Sequence, residues 1–266
     1  MEKQTILQVD NLSIGYQEDG RFTELIKPFS FRVNEGELIA IVGANGTGKS
    51  TLLKTISKEN EYYRGTVKLF SEEIKTISPK KNANYLSSVG TNYQIQSYTT
   101  VFDVISKGRS VHTNWMGKQS SSDIKIIKES AKKVGVLSLL ERFYNTLSDG
   151  EKQRTLIAMA LAQQAHIILL DEPTAFIDYP NKYFLTSLLK EITQKENKTI
   201  LFSSHDLEVV LTYADKFLLF SKNNVELLDK SQFLQKTQIL KLFEHQQLSE
   251  SFRDNLVEHL LETYKK

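Results

Sequence analysis

Gly43-Ala44-Asn45-Gly46-Thr47-Gly48-Lys49-Ser50, with Thr51 behind it, fits the pattern G-x-x-x-x-G-K-[ST] without a mismatch. A glycine-rich turn of this kind presents consecutive backbone N–H groups, and the helix that follows adds the positive end of its dipole. Together they cradle the several negative charges of a triphosphate. Lys49 then supplies a point charge to the terminal phosphates, and the Ser50 hydroxyl supplies one oxygen ligand to Mg²⁺. Residues 167–170 are wholly apolar and run into Asp171-Glu172. Two carboxylates thus fall at the C-terminal edge of a buried strand, where open α/β sheets bind ligands. Asp171 suits a magnesium ion held through water, and Glu172 suits the base that orients and deprotonates an attacking water. His205 follows the apolar run 199–203 and falls at the same edge.

The elements around these residues are the ones such chemistry needs. Residues 38–42 read as a continuously apolar strand and 50–56 as a helix with an apolar face, so strand, glycine turn and helix follow in order. Upstream, 6–16 and 29–33 alternate apolar and polar residues, as antiparallel strands with one wet face do, and Asn34-Glu35-Gly36-Glu37 is a turn. Residues 65–70 and 85–89 read as further strands. Between about 91 and 145 no strand pattern appears. Val101 opens one helix with Asp103 in its first turn, a loop carries Gly108, Arg109, His112, Trp115 and Gly117, and Ser122-Asp123 starts a longer helix ending near Gly135. From 150 onward helices (150–162, 180–196, 207–213) alternate with strands (167–170, 199–203, 217–220, 225–228). The expectation is an α/β fold: a P-loop NTPase core with a mainly parallel sheet, an N-terminal antiparallel β subdomain and an inserted α-helical subdomain. It assigns 1–230 to that domain and 231–266 to an amphipathic helical extension without recognisable chemistry.

Bulk properties narrow the classes. A chain of 266 residues builds one substantial α/β core, alone or with a small subdomain, and 40% hydrophobic with 25% charged residues is ordinary for a globular chain. A formal net charge of +2 gives no electrostatic case for a nucleic-acid partner. The absence of cysteine excludes disulfides, thiolate metal sites and a thiol nucleophile. Met1 to Thr5 show no basic patch leading an apolar segment, and no run of about eighteen apolar residues occurs, so the chain is expected to be neither secreted nor membrane-spanning.

Leu147-Ser148-Asp149-Gly150-Glu151 resembles the signature of the ATP-binding cassette (ABC) family, usually Leu-Ser-Gly-Gly-Gln. The resemblance spans most of the chain: the phosphate loop, this signature, Asp171-Glu172, a stretch Ala175-Phe176-Ile177-Asp178 similar to the family's D-loop, and Ser204-His205-Asp206 similar to its switch histidine. It implies ATP as the substrate, bound with Mg²⁺ by Gly43 to Thr51. It also implies a second copy pairing head to tail, whose Ser148 and Gly150 contact the γ-phosphate across the interface. His205 would contact the γ-phosphate and the attacking water, and Tyr16 would stack on adenine, unless it is an ordinary strand aromatic. Asp149 and Glu151 depart from the usual signature. Ser148 with Glu151 three residues on is in its own right a capping box, and the Asp149 carboxylate is expected to turn away from a triphosphate. The family's magnesium-ligating glutamine falls near Thr91 or Asn92, whereas the available glutamines are Gln94 and Gln96, which leaves that ligand open.

The resemblance implies an ATPase subunit of an ABC transporter. Its motion would drive separate integral membrane permease subunits, whose coupling helix would be taken up between 91 and 145, with a substrate-binding protein as an indirect partner. The chain would then be cytoplasmic and peripheral on the inner face of the cell membrane. Val101 to Ile105, Gly108-Arg109 and Ser122-Asp123 look like the ATPases that import iron-siderophore, haem or cobalamin. The alternative is a soluble ABC ATPase acting in DNA repair or on ribosomes, a class that usually carries a long coiled-coil insertion or two cassettes; here there is one phosphate loop and no sustained heptad pattern.

Overall fold

The computed structural model describes residues 4–18, 21–62, 64–90, 95–112, 119–221, 224–243 and 249–264. In chain order the strands and helices begin with β1 (Thr5–Ser13), β2 (Gly15–Glu18), β3 (Arg21–Glu24), β4 (Phe29–Asn34), β5 (Leu38–Gly43), α1 (Lys49–Ile56), β6 (Arg64–Leu69) and β7 (Glu72–Glu73). Next come α2 (Pro79–Tyr85), β8 (Leu86–Val89), α3 (Val101–Ser106), α4 (Ser121–Lys133), α5 (Asp149–Ala162), β9 (Ile167–Leu170), α6 (Tyr179–Glu196) and β10 (Thr199–Ser203). The chain closes with α7 (Leu207–Tyr213), β11 (Lys216–Phe220), β12 (Val225–Asp229), α8 (Lys230–Phe233), α9 (Lys236–Lys241) and α10 (Glu250–Tyr264).

Six strands form the central sheet in the order β12-β11-β5-β10-β9-β8, and all pairs are parallel except β12 on β11. An antiparallel sheet, β4-β1-β6-β7, packs on one face. The period of two decides which residue serves which face. Ile39, Ile41, Ile167 and Leu169 join the core shared with the antiparallel sheet and α1. Leu38, Ala40, Val42, Ile168 and Leu170 join the core under α3 to α7. With both faces covered, β9 and β10 are buried along their whole length, which is why they read as unbroken apolar runs.

One difference from the sequence reading has a physical cause. The 85–89 strand starts one residue later, because Tyr85 ends α2, a helix the apolar pattern does not announce. No residue of α2 is buried, so it carries no hydrophobic period; its legible signal is Ser78 capping Lys81 N at 3.4 Å ahead of Pro79. The apolar residues of the C-terminal segment pack on the core. Phe233, Leu234, Ile239, Leu242, Phe243, Val257 and Leu260 are buried in the same cluster as α5, α6 and α7, and Phe233 stacks on Phe217 with ring centroids 4.3 Å apart. Among the described residues, no helix is long and apolar enough to cross a membrane.

The helices between 101 and 133 are pinned by capping boxes and a buried ion pair. Thr100 with Asp103 caps α3, and Ser120 with Asp123 caps α4. Asp123 also accepts from Arg109 Nε at 2.9 Å, and both residues are buried. The guanidinium continues to Ala162 O and Gln164 Oε1, tying α4 to the end of α5. The Ser120 hydroxyl and N–H, then Arg109, hold the Asp123 carboxyl down to about 2. Replacing Arg109 by Leu strands a buried carboxylate and should cost about 3–5 kcal/mol in urea unfolding. Because the folded pKa is depressed from 3.8 to about 2, the Asp123 contribution is present above the unfolded value and is lost as pH falls through the folded one. Stability of the parent should therefore drop between those two values, and Asp123→Asn should flatten that part of the curve.

Candidate active site

β5 delivers the chain to the phosphate loop at the C-terminal edge of the central sheet. Gly43 has φ 151°, and a Cβ there would lie 2.6 Å from Phe220 O, so only glycine fits beside β11. Gly46, at φ 77°, has open space around it; its requirement is conformational rather than steric. The Thr47 hydroxyl donates to Ala44 O at 2.8 Å and fixes the turn. Helix α1 starts from Gly48 without any side-chain cap, which leaves its first N–H groups facing the loop. Lys49 is buried, and Nζ donates to Gly43 O at 2.9 Å and Ala44 O at 2.8 Å. Burial lowers its pKa, while the nearby Glu172 and Asp171 carboxylates act in the opposite sense and favour the ammonium.

The neighbouring strands supply the rest. Asp171, at the end of β9, is 6% exposed. Its Oδ1 accepts from Ser50 Oγ at 3.0 Å and from Ser203 Oγ at 2.7 Å. The Ser203 oxygen also accepts the Glu172 N–H at 2.8 Å, so one hydroxyl at the end of β10 orients both carboxylate residues. Glu172 itself has φ 50°, in the left-handed region, and its Oε1 lies 2.6 Å from His205 Nε2. Thr174, Ser204 and Asp206 form a further polar knot, with Lys182 of α6 3.0 Å from the Asp206 carboxylate. Thus Lys49, Ser50, Asp171, Glu172 and His205, separated by up to 156 positions in sequence, meet at the ends of three adjacent strands.

Ser50 and Asp171 offer a hydroxyl and a carboxylate oxygen side by side, a hard donor pair suited to Mg²⁺ that also keeps water and substrate phosphates as ligands. No cluster of three His, Cys, Asp or Glu residues able to hold a metal occurs among the described residues. Of the possible further ligands, Thr91, Asn92 and Gln94 lie outside the described residues, as does the side chain of Tyr16, whose backbone belongs to β2.

Ser148 and Gly150 are not brought to the phosphate loop of their own chain. Ser148 caps α5, exchanging its N–H and hydroxyl with the Glu151 carboxylate at 2.8 and 3.0 Å, and none of its hydrogen bonds reaches residues 43–51. The Ser148 N–H chiefly, with its hydroxyl and then Arg142 and Arg154, pulls the Glu151 pKa down. Asp149 Oδ1 is held by Lys152 at 3.2 Å. The α5 tip rests near Ile177 and Asn181, at the start of α6.

Ser203 and the Lys182–Asp206 pair were not anticipated from sequence. The available signal was a hydroxyl ending an otherwise apolar buried strand immediately before Ser204-His205. Ser203→Ala removes an Asp171 partner and leaves the Glu172 N–H without its acceptor. It should cost about 1–3 kcal/mol in chemical unfolding, with a drop in turnover that a surface serine variant does not show.

A model of the ABC transporter family matches residues 26–175. An uncharacterized ABC transporter ATP-binding protein of Methanocaldococcus jannaschii is 39% identical over 220 residues, 83% of this chain and 74% of that protein. The iron(3+)-hydroxamate import ATP-binding protein of Bacillus subtilis is 31% identical over 82% of this chain and 80% of its own length. Other relatives are named for manganese and molybdate transport. Among solved structures, an ABC transporter of metal-chelate type in an inward-facing conformation superposes with a TM-score of 0.79 at 29% identity, covering 90% of this chain and 89% of that one. With the phosphate loop, the paired carboxylates and the histidine gathered at one sheet edge, the chain belongs to the ABC transporter family of ATP-binding proteins.

Proposed function

We propose that this chain is the ATP-hydrolysing subunit of an ABC importer and that it works as a head-to-tail pair. The observation that carries this reading is the Glu172–His205 contact beside a buried lysine, an arrangement suited to hydrolysis rather than to nucleotide binding alone. ATP lies along residues 43–51, with Tyr16 against adenine and Ser148 and Gly150 of a second copy closing over the γ-phosphate. That last role fits an α5 tip that is already capped and turned toward α6 rather than toward its own phosphate loop.

In the catalytic step Lys49 exchanges its two carbonyl acceptors for phosphate oxygens and neutralises charge as the phosphoryl group separates. Ser50 and Asp171 would hold Mg²⁺, which would supply charge to polarise the terminal phosphates. Glu172 orients the water and takes its proton, while His205 fixes the carboxylate and reaches the γ-phosphate. Ser203 keeps both acidic residues in register.

Residues 91–145 are the surface for a separate permease at the inner face of the membrane, with a substrate-binding protein on the far side. Likeness to an iron(3+)-hydroxamate import protein and to a metal-chelate transporter supports an iron complex as the cargo, although selection of cargo belongs to the permease. Extraction with a polytopic membrane partner fits this role; recovery with ribosomes or DNA instead would favour a soluble ABC ATPase. For the chemistry, Glu172→Gln should keep ATP affinity, slow turnover by about 10²–10⁴-fold and trap an ATP-bound dimer visible by light scattering. Unchanged turnover would remove Glu172 as the base.

A further inference from the structure

The His205 side chain is 40% exposed and meets the Glu172 carboxylate at 2.6 Å. An imidazole so open to water keeps one position only if the backbone on either side of it is held. On the N-terminal side Ser204 is 2% exposed, and its N–H donates to Ile41 O at 3.2 Å. Its hydroxyl accepts the Asp206 N–H at 3.1 Å, so the two residues that flank the histidine are tied to each other. The buried Thr174 hydroxyl lies 3.4 Å from both Ser204 Oγ and Asp206 Oδ2. Thr174 stands two positions after Glu172, so these contacts also join the stretch that carries the carboxylate to the one that carries the imidazole.

Asp206 is where this arrangement departs from local expectation. It occupies the residue before α7, a place where an aspartate ordinarily accepts the first free N–H groups of the helix, yet its side chain makes no cap. Both carboxylate oxygens turn instead to Lys182 Nζ of α6, at 3.1 and 3.0 Å. The ammonium has a firm base. Asn181, beside it, donates to the Asp178 carboxylate and lies 3.4 Å from Arg154 of α5. A local cap is thus given up for an ion pair to another helix, and the residue after the histidine is the one that is pulled.

We propose that Lys182 is a positioning residue for hydrolysis: by holding Asp206 away from the start of α7 it sets the backbone from Ser204 to Asp206 and keeps His205 against Glu172. Lys182 itself touches neither reacting group. Without its charge, the Asp206 carboxylate swings back onto the N–H groups it would otherwise cap, and the 205–206 backbone follows. The inference rests on the roles proposed above for Glu172 and His205 and adds α6 as the element that fixes their distance.

Lys182→Met keeps the aliphatic stem and removes the charge. In the full chain, alone or with its membrane partner, kcat should fall about 10- to 100-fold while KM for ATP stays within about twofold. The urea midpoint should stay close to that of the parent, because the released carboxylate gains a cap as it loses an ion pair. Lys182→Arg can still reach both oxygens and should recover most of the turnover. Asp206→Asn should match Lys182→Met, and the two together should be no worse than either. In a His205→Ala background Lys182→Met should leave the residual turnover where it is, since the group it positions is gone. A further fall in that background, additive losses with Asp206→Asn, or a loss of stability in proportion to the loss of turnover would each make Lys182 a structural residue and overturn the proposal. Full turnover in Lys182→Met beside a slow Glu172→Gln would leave the chemistry standing and remove Lys182 from it. If Glu172→Gln and His205→Ala both turn over like the parent, the catalytic reading fails and this inference falls with it.

Discussion

The site depends on one buried carboxylate. Asp171 ends β9 with almost no exposure, and its Oδ1 is satisfied by hydroxyls from two other segments, Ser50 at the start of α1 and Ser203 at the end of β10. A polar group in so dry a place is tolerable only when hydrogen-bonded. The pairing therefore makes the relative heights of the phosphate loop and two neighbouring strands a condition of stability. Strand register does the coarse positioning: β5, β10 and β9 run parallel with Ile41 opposite Ser203 and Phe202 opposite Leu170, so their C-terminal ends finish together.

Around that carboxylate the charges are arranged in opposition. Lys49 is desolvated, which alone would favour the neutral amine, while two acidic residues keep the ammonium form attractive. Its donors rest on the Gly43 and Ala44 carbonyls, weaker acceptors than phosphate oxygens. The lysine thereby ties the loop's own backbone together. Glu172 shows the complementary device. Its backbone is held in the left-handed region by the Ser203 acceptor and the turn to Ala175, and its side chain is turned onto His205.

The helices between 101 and 133 are held in place for a different reason. It has little sheet to lean on, so its helices are stopped and started by reciprocal caps and tied to α5 through Arg109. The tip of α5 is capped in the same way by Ser148 and Glu151. The cap satisfies N–H groups at the helix start that would otherwise lack a partner. The departure from the usual signature is accommodated within the turn, Glu151 closing the capping box and Asp149 pairing with Lys152.

What the sequence by itself determined is what short-range physics encodes. The phosphate loop was legible because its glycines, lysine and serine are contiguous; the strands and long helices because burial on one or two faces imposes a period; the Ser148–Glu151 cap because its partners lie three residues apart. Contacts between distant segments lie beyond that reach. Nothing near Ser203 announces that it serves Asp171, nothing near Arg109 names Asp123 and the end of α5, and a helix with no buried residue, 79–85, leaves no periodic trace. The joining of Phe233, Leu234, Ile239, Leu242, Phe243, Val257 and Leu260 to the main core, and the meeting of Leu242 and Phe243 with the phosphate loop and His205, were decided only by tertiary structure, since an apolar stripe records that a face must be covered and not which surface covers it.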